Sequence, residues 1–203
     1  AQYTLTREIE IDGMLAYINE QKATGKGYKF MHVLIKVCAT LLQEHEKLNA
    51  TIVEKMLHYY GAVNMGVAVA VKEGLVVPVI KGVDDMSVDQ IVEAYSAIVP
   101  KAKSGKLTIE DMSGGTFTIS NLGMAGIDAF TPVVNYPEAA ILGVGRTNER
   151  VVFGADDKLE RRKTVIFSLT LDHRIVDGYV GAMFLESLAQ TLGDQEKTRT
   201  AVE

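Results

Sequence analysis

Cysteine occurs once, as Cys38, so the 203-residue chain cannot hold an internal disulfide. A reducing compartment is the simple reading of that scarcity. Positive charge is not in excess either. Twenty-one Lys and Arg face 26 Asp and Glu, the net charge is −5 and the pI about 5.5, the opposite of the basic footprint left by a nucleic-acid binder. The basic run Arg161-Arg162-Lys163 is short and flanked by Asp156, Asp157 and Glu160, as a solvated loop edge is. Long apolar runs are missing as well. The richest, Phe30 to Leu42, is too short to span a bilayer and carries Lys36. No basic-then-apolar signal segment opens the chain. Neither nucleic acid nor membrane is therefore expected as a partner. Gly143-Val144-Gly145-Arg146 lacks the third glycine and the following helix of a dinucleotide loop, and no Walker-type loop occurs. His32, His45 and His58 show no metal-ligand spacing, and His173 with Asp177 has no further credible ligand, so no metal is expected. Repeats, low-complexity tracts and flexible linkers are absent from the 203 residues.

What remains is an ordinary globular composition, 47% apolar and 23% charged, which predicts one domain over residues 1–203. Tyr3 to Ile11 reads as a strand. Asp12 is a plausible N-cap for a helix with Ile11, Met14, Leu15 and Ile18 on one face. Phe30 to Glu46 is apolar around most of its circumference and should be a buried helix. Cys38 falls on that face, without a neighbouring base or cation, as a small core residue. His45 and His58 read as surface or strand-edge residues. Gly66–Val71 and Leu75–Ile80 form a hairpin around Lys72-Glu73-Gly74, with Pro78 demoting part of its second strand. Ser87-Val88-Asp89-Gln90 is a capping box, and Pro100 is placed to kink or shorten the helix it opens. Thr116–Ser120, Ala139–Val144, Val151–Phe153 and Lys163–Leu171 read as strands, the last two around a polar turn at 154–158. Phe130 to Pro137, with two prolines, reads as an extended loop. Interspersed strands and helices predict an α/β (α+β) two-layer sandwich, a mixed β-sheet covered by helices.

Chemistry concentrates at Asp172-His173-Arg174-Ile175-Val176-Asp177-Gly178. The stretch sits between a buried strand and a helix whose stripe is Val180, Met183, Phe184, Leu188 and Leu192. An imidazole on such a junction can accept a proton near neutral pH. Ser120 is the second candidate, as a nucleophile or as a donor to an oxyanion. Spacing alone does not choose between these roles, nor between them and a satisfied core histidine beside an aspartate that merely caps the helix.

The same stretch resembles the DHRxxDG signature of the catalytic domain of dihydrolipoamide acyltransferases, the core components of 2-oxo acid dehydrogenase complexes. Phe117–Gly123, Phe130–Arg146, Leu48-Asn49-Ala50 and Leu75–Ile80 resemble further motifs of that family, in the right order over nearly the whole chain. The resemblance implies the CoA-dependent acyltransferase fold, shared with chloramphenicol acetyltransferase. It implies His173 as general base, Asp177 as its support and Ser120 as oxyanion donor, with coenzyme A as a substrate and no metal. It leaves the CoA-contacting residues unassigned.

The implied reaction moves an acyl group between S-acyl-dihydrolipoamide and coenzyme A. Thr118–Gly123 looks more like the acetyl-transferring members than the succinyl ones. The implied partners are two further copies in a trimer that builds a cubic or dodecahedral core, a lipoyl domain, and the 2-oxo acid decarboxylase and dihydrolipoamide dehydrogenase components. In the family the histidine and the serine of one site come from neighbouring chains. Lipoyl and peripheral-subunit-binding domains are not expected within these residues, so the lipoyl group would ride on a separate domain. The expected location is the cytoplasm of a bacterium or archaeon, or the mitochondrial matrix of a eukaryote. Two alternatives stay open: a small-molecule acetyltransferase of the chloramphenicol acetyltransferase type, and a non-catalytic oligomeric scaffold.

Overall fold

The computed structural model describes residues 1–203 except Glu73 and Ala155. Its frame is a six-stranded mixed sheet. An edge strand, β1 (Gln2–Glu10), pairs antiparallel with β10 (Leu159–Asp172), which pairs antiparallel with β9 (Ala140–Phe153). Parallel pairing then joins β9 to β8 (Phe117–Asn121) and β8 to β4 (Met65–Val67), and β7 (Val79–Ile80) closes the far edge antiparallel. Two hairpins stand outside this sheet: β2 (Ala50–Val53) with β3 (Met56–Tyr59), and β5 (Val69–Val71) with β6 (Gly74–Val76). The helices are α1 (Asp12–Ala23), α2 (Phe30–Glu44), α3 (Val88–Lys103), α4 (Gly178–Gly193) and α5 (Gln195–Val202).

Strand alternation sorts the side chains. Phe117, Ile119, Phe167, Leu169 and Leu171 join Phe184 of α4 and the buried face of α2 in one continuous core. Cys38 lies in it, fully buried, as expected. Gly181 lets α4 settle close to the sheet, since an added Cβ would lie 2.4 Å from Leu171 Cδ1 and 3.0 Å from Leu5 Cδ1. The other face carries hydroxyls. Thr4 pairs with Thr170 at 2.8 Å, and Thr116, Thr118, Ser120 and Ser168 are all buried there. The 122–137 connection lies against this face. At Gly143 a Cβ would be 3.1 Å from the Phe130 ring, and at Gly145 it would be 1.9 Å from the Asp128 carbonyl oxygen. The glycine pair of β9 thus serves close backbone approach. Opposite the single Ile166 of β10, Gly145 and Arg146 form a bulge, where Arg146 N donates to Ile127 O at 2.8 Å.

Several expectations need correction. Asp12 does not cap α1. Ile11 occupies the cap position, and the Asp12 carboxylate accepts instead from Lys163 N at 2.8 Å, tying the helix start to β10. The Gly66–Ile80 hairpin is broken in two. Its inner part is β5–β6, whereas β4 and β7 turn off into the main sheet on either side of Ala68 and Val77-Pro78; Glu73 in its turn lies outside the described residues. Pro100 does not shorten α3, which runs on to Lys103. It sits exposed in the last turn, where the carbonyl it leaves unpaired can face solvent. His45 is half-buried, with Nε2 3.0 Å from Ser187 Oγ, rather than free at the surface. The Ser87 capping box forms, with Ser87 N donating to Gln90 Oε1 at 2.8 Å and Gln90 N to Ser87 Oγ at 3.3 Å. Short α5, which has no apolar stripe of its own, is an element the sequence reading missed.

Candidate active site

β10 ends by handing its last carboxylate to the turn that follows. Asp172 Oδ1 accepts from Arg174 N and Nε, both at 3.0 Å, and Oδ2 accepts from Arg174 Nη2 at 2.5 Å. This fork holds the Asp172 carboxyl below its usual range. The Asp172 carbonyl accepts from Ile175 N at 2.9 Å and Val176 N at 3.0 Å, so the turn is closed from both ends of one residue. His173 is therefore presented on a rigid backbone, its N donating to Ala1 O at 2.8 Å.

The His173 side chain is exposed and makes no hydrogen bond among the described residues. Its neighbour is Tyr3 of β1, with ring centroids 4.7 Å apart at 52°. Tyr3 in turn donates to Val176 O at 3.4 Å. Burial first, and then the Asp177 carboxylate, push the Tyr3 phenol upward. Asp177 caps α4, with Oδ1 accepting from Val180 N at 3.1 Å. His173 and Asp177 thus share one turn, and no hydrogen bond joins them. The satisfied-core reading of His173 fails on its exposure, whereas the capping reading of Asp177 is observed.

Ser120 lies on β8, 9% exposed, with no hydrogen bond from its hydroxyl within the described chain. The sheet register places it far from His173. Ser120 pairs with Gly143, and Gly143 pairs with Ser168, five positions before His173. At ~3.3 Å per residue along a strand and ~4.8 Å between strands, the two residues are roughly 16 Å apart along the sheet and about 10 Å across it. They are well separated on the sheet, and Ser120 faces away from the helices. One chain does not bring them together.

On the helix side of the sheet, the end of β8 at Asn121 adjoins a cavity of about 550 Å³. Phe30, Met31 and Tyr95 give it an apolar wall, Asn121 closes it at β8, and Lys29 and Lys103 stand on its lining. His32 also lines it, 3% exposed, with Nδ1 accepting from Lys29 N at 3.3 Å. Burial, helped by Lys29, lowers its pKa, so the imidazole is neutral and carries its proton on Nε2. No lining residue is acidic, so the cavity suits a ligand with an apolar arm and anionic groups. Sequence reasoning missed this pocket and Tyr3. Both depend on which strands and helices become neighbours, and the only local signal was the clustering of Lys29, Phe30 and Met31 at a helix start. No group of three or more His, Cys, Asp or Glu among the described residues could hold a metal ion.

Comparison with known proteins decides the family. Residues 1–199 match the model for the 2-oxoacid dehydrogenases acyltransferase (catalytic domain). The chain belongs to that family. Among its relatives is the succinyltransferase component of the 2-oxoglutarate dehydrogenase complex of Rickettsia typhi, 39% identical over 200 residues, 96% of this chain and 50% of that protein. The mitochondrial acetyltransferase component of the pyruvate dehydrogenase complex of Dictyostelium discoideum is 37% identical over 188 residues, 91% of this chain and 30% of that protein. The chain thus spans half or less of the length of these relatives. Azotobacter vinelandii dihydrolipoamide acetyltransferase superposes with a TM-score of 0.90 at 35% identity, over 98% of this chain and 84% of that one. A chloramphenicol acetyltransferase shares the fold at a TM-score of 0.58 and 17% identity, over 100% of this chain and 88% of that one. The acyltransferase family and the mixed, helix-covered sheet expected from the sequence are both borne out.

Proposed function

We propose that this chain transfers an acyl group between S-acyl-dihydrolipoamide and coenzyme A. The observation that carries the proposal is the exposed His173 imidazole, making no hydrogen bond among the described residues and carried on the Asp172–Val176 turn, in a chain of this family. His173 takes the proton of the attacking thiol. The thiolate adds to the thioester carbonyl, and the Ser120 hydroxyl donates to the oxyanion that forms. Collapse expels the second thiolate, which recovers the proton from the imidazolium. Asp177 supports His173 by anchoring the start of α4 and by placing negative charge beside the turn. The study of the Azotobacter enzyme concerns the catalytic role of a serine, a histidine and an asparagine four positions after that histidine, the spacing of His173 and Asp177 here.

Because His173 and Ser120 of one chain stand roughly 16 Å apart along the sheet and about 10 Å across it, a complete site takes its base from one chain and its oxyanion donor from the next. A homotrimer meets this need, and a match at TM-score 0.90 is the cubic core of a pyruvate dehydrogenase multienzyme complex. The exposed Met124, Ile127, Val133 and Tyr136 of the 122–137 connection give such a contact its apolar surface. Coenzyme A takes the pocket at Asn121, where β8 ends, with Lys29 and Lys103 toward its phosphates. The lipoyl arm comes from a separate domain, and the decarboxylase and dihydrolipoamide dehydrogenase components complete the system. Acetyl is our choice of acyl group, on the sequence Thr118–Gly123, although the relatives include succinyl-transferring proteins.

A CoA-dependent assay offering acetyl- and succinyl-dihydrolipoamide in parallel tests this. Acetyl turnover should dominate, and His173→Ala should cut the rate by about 10²–10⁴-fold. A full rate in that variant sinks the base assignment, and faster succinyl transfer sinks the choice of acyl group.

A further inference from the structure

Glu138 is an acid with almost no access to water, 3% exposed, at the end of the 122–137 connection. Its Oε1 accepts from Asn135 Nδ2 at 2.9 Å, and its backbone N donates to Asn135 O at 2.9 Å. Its Oε2 is buried without a hydrogen-bond partner. Thr118 Oγ1 on β8 is buried and unpartnered in the same way, and it is near enough to draw the Glu138 pKa down against the larger upward push of burial. Two orphaned polar atoms so placed are costly, and a proton on Oε2 lets the carboxyl donate to Thr118 Oγ1 without the further cost of a buried, uncompensated charge. The packing reserves this space. A Cβ on Gly115 would meet Glu138 Oε1 at 2.8 Å, and one on Gly66 would meet Thr118 Oγ1 at 2.5 Å.

The location ties the pair to the candidate site. Ala139, the next residue, accepts through its carbonyl from Asp172 N at 2.9 Å, the first anchor of the His173 turn. We propose that Glu138 is a positioning residue held as a neutral carboxylic acid, donating its O–H to Thr118 Oγ1 and so fixing the Ala139 carbonyl on which the His173 turn is built. Burial pushes the Glu138 carboxyl up to about 7, and no charged side chain contributes to that shift. The titratable groups on the adjoining cavity wall are Tyr60 and Tyr136, and the remaining walls are Met112, Gly114, Gly115, Asn135 and Pro137. Ionisation leaves a buried carboxylate with no cation to meet it, and the anchor loosens.

The proposal rests on the acyl-transfer reading only for its activity arm, so the first test avoids activity. Infrared difference spectra of the assembled protein between pH 5 and pH 8.5 should show the carbonyl stretch of a buried protonated carboxylic acid. Glu138→Gln should abolish that band. Thermal unfolding supplies a second readout. A carboxyl whose folded pKa is raised adds stability that is complete below its unfolded value and fades as pH rises through the folded value. Wild-type Tm should therefore fall between pH 5 and 8 relative to Glu138→Gln, whose amide keeps a donor and an acceptor in place.

In the acyl-transfer assay, kcat should fall on the alkaline side near pH 7 in wild type. Glu138→Gln should restore it there, and Thr118→Val should lower kcat without moving KM for CoA. Absence of the band, or an unchanged Tm–pH profile in Glu138→Gln, overturns the proposal whatever the enzyme transfers. No acyl transfer at any pH, with the band and the Tm shift present, instead overturns the functional reading.

Discussion

At the scale of single residues, the candidate base was legible and its surroundings were not. His173 stood out because a histidine, two carboxylates and a glycine crowd one strand-to-helix junction, a local pattern that survives in one dimension. Tyr3 packs on it only because β1 pairs with β10 in a register that sets Tyr3 opposite Leu171, and no spacing in the chain announces that. Glu138 was equally silent, since its chemistry comes from burial. Two outcomes belong here. Ser120→Ala should lower kcat by about 10²–10³-fold, the usual cost of losing one oxyanion donor, while leaving the circular dichroism spectrum and Tm unchanged. Cys38 is fully buried and its thiol is pushed far upward by desolvation, so a thiol reagent should titrate it only after denaturant unfolds the chain, which a simple absorbance assay reads.

At the scale of elements, the strong periodic segments read well. The α2 stripe, the α3 capping box and the alternating Lys163–Leu171 run are all present, because burial and capping are written locally. The failures came where tertiary contacts overrode a local signal. Asp12 found Lys163 N and gave up its capping role, and the apparent Gly66–Ile80 hairpin was divided because β4 and β7 had the main sheet to join. For Asp177 the element scale separates two functions. Losing a helix N-cap costs about 0.5–2 kcal/mol, so Asp177→Ala should lower Tm as well as kcat. Asp177→Asn should keep the cap and the Tm, and its kcat then reports the charge alone. Gly181→Leu should destabilise by about 1–3 kcal/mol in chemical denaturation, since Leu171 and Leu5 already occupy the space its side chain needs.

At the scale of the whole molecule, the mixed helix-covered sheet was visible in the order of strands and helices, whereas the separation of Ser120 from His173 was implied only by the family resemblance and by no spacing in the chain. It follows from strand order and direction, properties of the sheet that belong to no segment. It also makes a prediction. His173→Ala and Ser120→Ala chains, each inactive alone, should regain about a quarter of wild-type activity when refolded together in equal amounts into random closed assemblies. Recovery of nothing would place both residues in the service of one chain.

This arrangement also changes how damage spreads through an assembly. On the proposed acyl-transfer reading, each chain would lend its histidine to one site and its serine to another. A chain missing only one of them disables a single site, whereas a chain missing both, or one misfolded in place, silences the two sites on its flanks. Poorly folded subunits would then act dominantly over intact ones, and the activity of a mixed population would fall faster than the fraction of sound protein.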